Sequence, residues 1–213
     1  MKAFTCAAFI VLTAAACVSW AVAPTPALVP DLGQWTIDTK FTHPQQIFIR
    51  TGPDNKPRRF WYILLTLTNK TGQDADFYPK CELMTDTFQI IPAGKSVAPD
   101  VFQKIKDRHQ AKYPFLETLS GTTSKILQGE DNTKDIAVIW PDFDPRAKKI
   151  KIFITGLSNE TAFVKHPVAK DKNGQPLIVF LRKTLELTYA LESDSAQRSD
   201  ANLIYKSTNW VMR

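Results

Sequence analysis

From residue 33 onward, apolar and polar positions mostly alternate with a period of two, the spacing of half-buried β-strands. In "QWTIDTKF", Trp35, Ile37 and Thr39 fall on one face with Phe41. "RFWYILLTLTN" predicts the strongest strand. Trp61, Ile63, Leu65 and Leu67 form one of its faces; Phe60, Tyr62, Leu64, Thr66 and Thr68 form the other, which is less apolar towards its end. The strand stops at "NKTGQD", where Asn, Gly and Asp permit a tight reversal. "FYPKCELMTD" and "TFQIIPAGKSV" read as the next two extended segments. In "KKIKIFIT", Ile150, Ile152 and Ile154 share one face, and Lys149 and Lys151 share the other with Phe153. In "PLIVFLRKTLELTYAL", Val179, Leu181, Leu185, Leu187, Tyr189 and Leu191 form a stripe that Lys183 interrupts, at a bend or by snorkelling. "LIYKSTNWVM" is the last strand, reached through the polar loop 192–202.

One segment breaks this rhythm. "PDVFQKIKDRHQAKY" has Pro99 at a first helical position, then Phe102, Ile105 and His109 at helical spacing, and Pro114 ends it. A helical insertion is therefore expected over about 99–128. Short strands separated by turn signals predict a sandwich or barrel and not a parallel α/β fold. Trp35, Trp61, Trp140 and Trp210 are its candidates for core or near-core packing.

The N-terminus follows different rules. "MKAFTCAAFIVLTAAACVSWAVAP" has basic Lys2, an apolar run from Phe4 to Ala16 and small residues after it, the layout of a secretory signal. The run is short for a membrane span, and Pro24, Pro26 and Pro30 stop any helix. Residues 1–21 are expected to be the signal peptide, cleaved after Ser19-Trp20-Ala21, with 22–32 a Pro-rich linker or tail. The rival reading makes Cys17, in "AAAC", the lipid-bearing first residue of a lipoprotein. Both predict export to the periplasm or the extracellular space. Cys6 and Cys17 lie in the signal region, so Cys81 alone remains in the body, where a buried, inert thiol is expected.

The chain has 213 residues and a formal net charge of +6, which Lys2 would lower by one on leaving. This mild bias favours anionic surfaces, but no basic block is long enough for a nucleic-acid arm. No G-x-S-x-G elbow, H-E-x-x-H or paired Cys set occurs, and His43, His109 and His166 are far apart. "IPAGKSV" imitates the end of a phosphate-binding loop, but Gln89 stands where the first Gly is required, so a turn is expected.

The acidic stretch "KILQGEDNTKDIAVIWPDFDP" poses the sharpest question. Glu130 and Asp131 are adjacent and would point to opposite faces of a strand. Asp142 and Asp144 flank Phe143 between two prolines, a spacing that would suit a weak Ca²⁺ site, although the full loop motif is missing. Turn chemistry is the expected role; a cation site at Asp142 and Asp144 is the alternative.

Two stretches carry a resemblance. "WYILLTLTNKTGQD" resembles a strand ending in T-x-T-N-x-T/S-G. "LQGEDNTKDIAVIWP" resembles an L-x-P-G-E turn followed by a V-x-F-x-V-P strand, with Gln128 in place of the usual Pro and Ile139-Trp140-Pro141 at the strand end. Both patterns are those of the bacterial immunoglobulin-like, telokin-like extracellular domains. The body 33–213 also resembles uncharacterised secreted bacterial proteins with "GLSNE", "LRKTL" and "WVMR" segments. The resemblance implies a single mainly β domain over 33–213, an immunoglobulin-like β-sandwich with one helical insertion. It implies no activity, because its motifs carry turns and core positions. The expected function is a non-enzymatic binding or structural module of the cell envelope, with no catalytic residue, no cofactor and no resident metal. Its partner would be an unidentified envelope protein or a glycan, not nucleic acid. It would meet a membrane only through a lipid on Cys17, and its oligomeric state is left open. The alternatives are a carbohydrate-binding module using Phe60, Tyr62 or Trp140 on an open face, and a hydrolase with dispersed catalytic residues.

Overall fold

The strand predicted most strongly forms the spine. β4 (Pro57–Asn69) and β10 (Gly129–Pro141) pair antiparallel, from Leu67 opposite Lys134 to Phe60 opposite Pro141. The computed structural model describes residues 25–29, 33–50, 56–122, 124–191 and 203–213. The signal segment 1–21, Cys17 within it and residues 30–32 of the Pro-rich stretch lie outside the described residues. No helix among the described residues is long and apolar enough to cross a membrane.

Among the described residues the chain is mainly β, a sandwich of two principal sheets with one helix. In the five-stranded sheet, β2 (Asp38–Phe41) and β3 (Gln45–Arg50) follow one another along the free side of β4, and β8 (Glu117–Thr118) runs parallel to β10. β5 (Ala75–Asp76) and β9 (Lys125–Ile126) form a separate small ladder. The seven-stranded sheet is ordered β1 (Ala27–Leu28), β12 (Thr161–Lys170), β13 (Pro176–Leu191), β11 (Lys149–Thr155), β6 (Lys80–Thr85), β7 (Ile90–Pro92), with β14 (Leu203–Met212) also on β13.

The predicted stripes meet between the sheets. Trp61, Ile63, Leu65 and Leu67 of β4 share a core with Ile150, Ile152 and Ile154 of β11 and Leu185, Leu187, Tyr189 and Leu191 of β13. The other face of β4 has its own core. There Phe60, Tyr62 and Leu64 pack with Ile47, Ala137 and Ile139 under Val101 and Ile105 of α1 (Pro99–His109). The insertion thus forms a third layer that covers a sheet face which would otherwise lie in water.

β13 is longer than the sandwich. Arg182 N–H donates to the Arg213 carbonyl (2.8 Å), whereas Lys183 N–H donates to the Glu160 carbonyl (3.0 Å). Adjacent N–H groups point to opposite sides of a strand, so β14 lies on one side of β13, and β11 and β12 lie end to end on the other. Beyond Arg182 the sheet narrows to a ribbon of β12 and β13, joined by β1 only at Ala162 and Phe163. Residues 165–168 and 170–178 are all exposed, so the ribbon projects beyond the core as an arm. Lys183 marks the junction, where its ammonium pairs with Glu160, lies 3.4 Å from Thr36 Oγ1 and sits 5.2 Å over the Trp210 ring.

Two expectations need correcting. Trp35 packs partly buried against the core and Trp61 and Trp140 lie within it, but Trp210 is 41% exposed because β14 is an edge strand among the described residues. Phe60, Tyr62 and Trp140, the aromatics named for an open sugar-binding face, are all buried: α1 covers the first two, and Trp140 points between the sheets.

Candidate functional site

Asp142 and Asp144 are each held by an arginine. Asp142 Oδ2 accepts from Arg59 Nε and Nη2 at 3.1 and 3.0 Å, and its Oδ1 accepts from Trp61 Nε1 at 2.9 Å. Asp144 accepts from the Arg146 side chain at 3.2 and 3.0 Å and from the Arg146 backbone N–H at 2.9 Å. These Arg146 bonds hold the Asp144 carboxyl well below its ordinary range. The two carboxylates thus tie down the chain that leaves β10, as turn residues do. No group of three or more His, Cys, Asp or Glu side chains that could hold a metal ion occurs among the described residues.

The two stretches carrying the family resemblance lie side by side, bridged between Asn69 and Gln128. Asn69 is fully buried and its amide closes both turns. Its Nδ2 donates to the carbonyls of Gln73 and Ile126, each at 2.8 Å, and its Oδ1 accepts from Thr71 N and Oγ1. Gln128 accepts from Gly72 N–H through its side chain (2.9 Å) and donates its own N–H to Asp74 (3.0 Å). Gly129 follows at φ +109°, a conformation glycine adopts without a Cβ penalty. The turn after β4 and the residues that lead into β10 are thus fastened to each other at one end of β10, while Asp142 and Asp144 lie beyond its other end.

The three histidines serve three separate places. His43 Nδ1 is 3.2 Å from the Tyr189 hydroxyl, His109 Nε2 is 2.9 Å from the Tyr62 hydroxyl, and His166 Nδ1 accepts from the backbone N–H groups of Val168 and Ala169. Burial, then the charges of Arg108 and Lys112, lowers the His109 pKa below its ordinary value. Cys81 is buried in the inter-sheet core, where desolvation pushes its thiol up to about 12 and keeps it un-ionised at neutral pH.

One concavity lies where the edges of the two sheets face each other. A cleft of about 560 Å³ runs between β2 and β14, lined by Trp35, Asp38, Phe41, Lys70, Thr208 and Trp210 among others. Lys70 bridges Asp38 (3.4 Å) and Glu130 (3.1 Å) at its rim, and the two carboxylates raise the Lys70 pKa. The neighbouring stretch is closed by aromatics, with His43 rings 5.8 Å from Tyr189 and 5.3 Å from Tyr205.

Above this cleft the outer side of β14 has no partner strand among the described residues. Arg182 and Arg213 exchange both backbone bonds, at 2.8 and 3.1 Å, which fixes the alternation of the ladder. Val211, Asn209 and Ser207 then turn their backbone groups towards β13, and Met212, Trp210 and Thr208 present theirs outward. A second concavity, about 440 Å³, lies beside α1 between Phe102, Val97, Leu119 and Ile139. Searches against protein-family models, curated proteins and solved structures find no match to the chain.

Proposed function

We propose that this chain is an exported, non-enzymatic binding module of the cell envelope, of immunoglobulin-like type, which captures an extended polypeptide by strand addition at β14. The observation that carries this reading is the open edge of β14 above a cleft. An added strand would pair with the outward N–H and C=O groups of Thr208, Trp210 and Met212, and alternate side chains would drop into the space between β14 and β2. Main-chain bonds would supply the affinity, and Trp35, Phe41 and Trp210 the apolar contacts that choose side chains. The fastened turns at Asn69 and Gly129 support the immunoglobulin-like assignment, and the basic, apolar, small-residue order of residues 1–21 supports export.

Thr208→Pro is the decisive variant. The Thr208 N–H faces outward, so proline there leaves the β13 ladder intact while removing a donor from the open edge. Affinity capture from an envelope fraction, followed by amide hydrogen exchange on the complex, should show a partner that protects Trp210 and Met212 amides and that Thr208→Pro loses. A partner retained by the variant with those amides unprotected would refute strand addition. A glycan is the second reading, because Trp210 lies half-exposed beside Asp38, Thr39, Lys70 and Thr208 in the same cleft. Binding of a polysaccharide that survives Thr208→Pro and is lost in Trp210→Ala would favour it.

A further inference from the structure

Beyond its base, where Thr161 and Arg182 line a concavity with Asp74, Asp76 and Glu160, the arm formed by β12 and β13 carries a face that nothing in the described chain covers. Residues directly opposite in an antiparallel pair share a face. The pairs Thr161–Arg182, Phe163–Phe180, Lys165–Ile178 and Lys170–Pro176 therefore lie on one side of the ribbon. Phe180 is 70% and Ile178 49% exposed. Lys165, Lys170 and Arg182 surround them, and no side-chain ion pair engages these three among the described residues. No acidic side chain lies among the eight positions of this face. The one acidic residue near the tip, Asp171, is spent on the turn, where its Oδ1 accepts the N–H groups of Asn173 and Gln175, each at 2.9 Å.

We propose that this face of the arm docks flat on an anionic phospholipid surface. A two-stranded ribbon is marginally stable alone in water, and this one exposes a phenyl ring and an isoleucine at its middle. An anionic bilayer answers both features, since its acyl boundary takes Phe180, Ile178 and Pro176 while its headgroups meet Lys165, Lys170 and Arg182. Apart from Thr161 the face has no neutral hydrogen-bonding side chain with which to read sugar hydroxyls or bases. The opposite face offers no such site, because Ala162 is buried and Val164, Val179 and Leu181 are half-buried. The inference uses different residues from the strand-addition reading, so each stands or falls separately.

The test is co-sedimentation of the full chain with phosphatidylcholine vesicles, with and without about one third phosphatidylglycerol. The chain carries Cys17→Ser throughout, so that no lipid anchor contributes. Binding should require phosphatidylglycerol and weaken as salt rises. Lys165→Gln with Arg182→Gln should reduce it about tenfold or more, from two lost contacts with the anionic surface. Phe180→Ser should reduce it several-fold, and Thr208→Pro should leave it unchanged. Circular dichroism and the thermal midpoint check that each variant is folded. Absence of binding, or binding that Lys165→Gln/Arg182→Gln and Phe180→Ser leave unmoved, would overturn the proposal. So would a dimer, seen by analytical ultracentrifugation, that Phe180→Ser dissolves while vesicles bind nothing; that result would assign the face to a second copy of the chain.

Discussion

Ile105→Ala should destabilise the protein by about 3 kcal/mol, because α1 is a structural layer and not an appendage. Ile105 is fully buried and lies in the cluster with Phe60, Tyr62, Leu64 and Ala137. The substitution removes three carbon atoms, each worth about 0.8 kcal/mol when buried, or roughly 2.4 kcal/mol in all. A cavity term adds to this. It should be small here, since a helix packed on one side can settle towards the sheet more readily than a strand held in a ladder. Urea denaturation followed by circular dichroism gives the number directly. Phe115→Ala is the control: Phe115 belongs to the same insertion but is 84% exposed, and its loss should fall within about 0.5 kcal/mol of zero. An Ile105→Ala cost below about 1 kcal/mol, or one no larger than that of Phe115→Ala, would refute the second core.

Two further outcomes follow from particular contacts. Trp61 and Trp140 are both buried, but Trp61 Nε1 donates to Asp142 whereas Trp140 Nε1 has no hydrogen-bond partner among the described residues. Trp61→Phe should therefore cost about 1 kcal/mol or more beyond Trp140→Phe, and equal urea midpoints for the two variants would contradict this. His109 has a pKa lowered by folding, so the unfolded chain takes up its proton first as pH falls below 6.5, and the stability present above 6.5 is lost towards the lower folded value. His109→Gln should flatten the stability curve between about pH 7 and 5, and an unchanged slope would count against the assignment.

The fold was largely legible because alternation fixes faces. The stripes Trp61 to Leu67, Ile150 to Ile154 and Leu185 to Leu191 all point into the inter-sheet core as their spacing predicts. Phe60, Tyr62 and Leu64 also read as a strand face. What covers them did not follow from the pattern, because α1 and β4 are joined only through tertiary packing. Trp210 shows the opposite limit. "STNWVM" alternates like any other strand, and although it was a candidate edge for strand addition, the alternation itself does not record that β14 has a neighbour on one side alone among the described residues. The cleft was illegible for a related reason: β2 and β14 are far apart in the sequence, and their approach is a product of sheet order. Lys183, which interrupts an otherwise apolar stripe, was the one local sign that β13 leaves the core partway along.

β4 and β13 pose the same physical problem and meet it differently. A strand with apolar residues on both faces must have both covered or leave one in water. β4 has its second face covered by Val101 and Ile105 of α1, and Phe60 and Tyr62 are accordingly buried. β13 changes character at Arg182. Its proximal half carries Thr184, Glu186 and Thr188 outward, with Glu186 bonded to Lys151 at 3.1 Å, so that side needs no apolar cover. Its distal half carries Ile178 and Phe180 outward with three cations around them, and no described element lies over them. Cover from within would have required apolar or acidic partners on a further strand or helix. The cations instead keep this face compatible with water while matching it to an anionic surface, which is why the exposed phenyl ring of Phe180 argues for an external surface and not for an unfinished core.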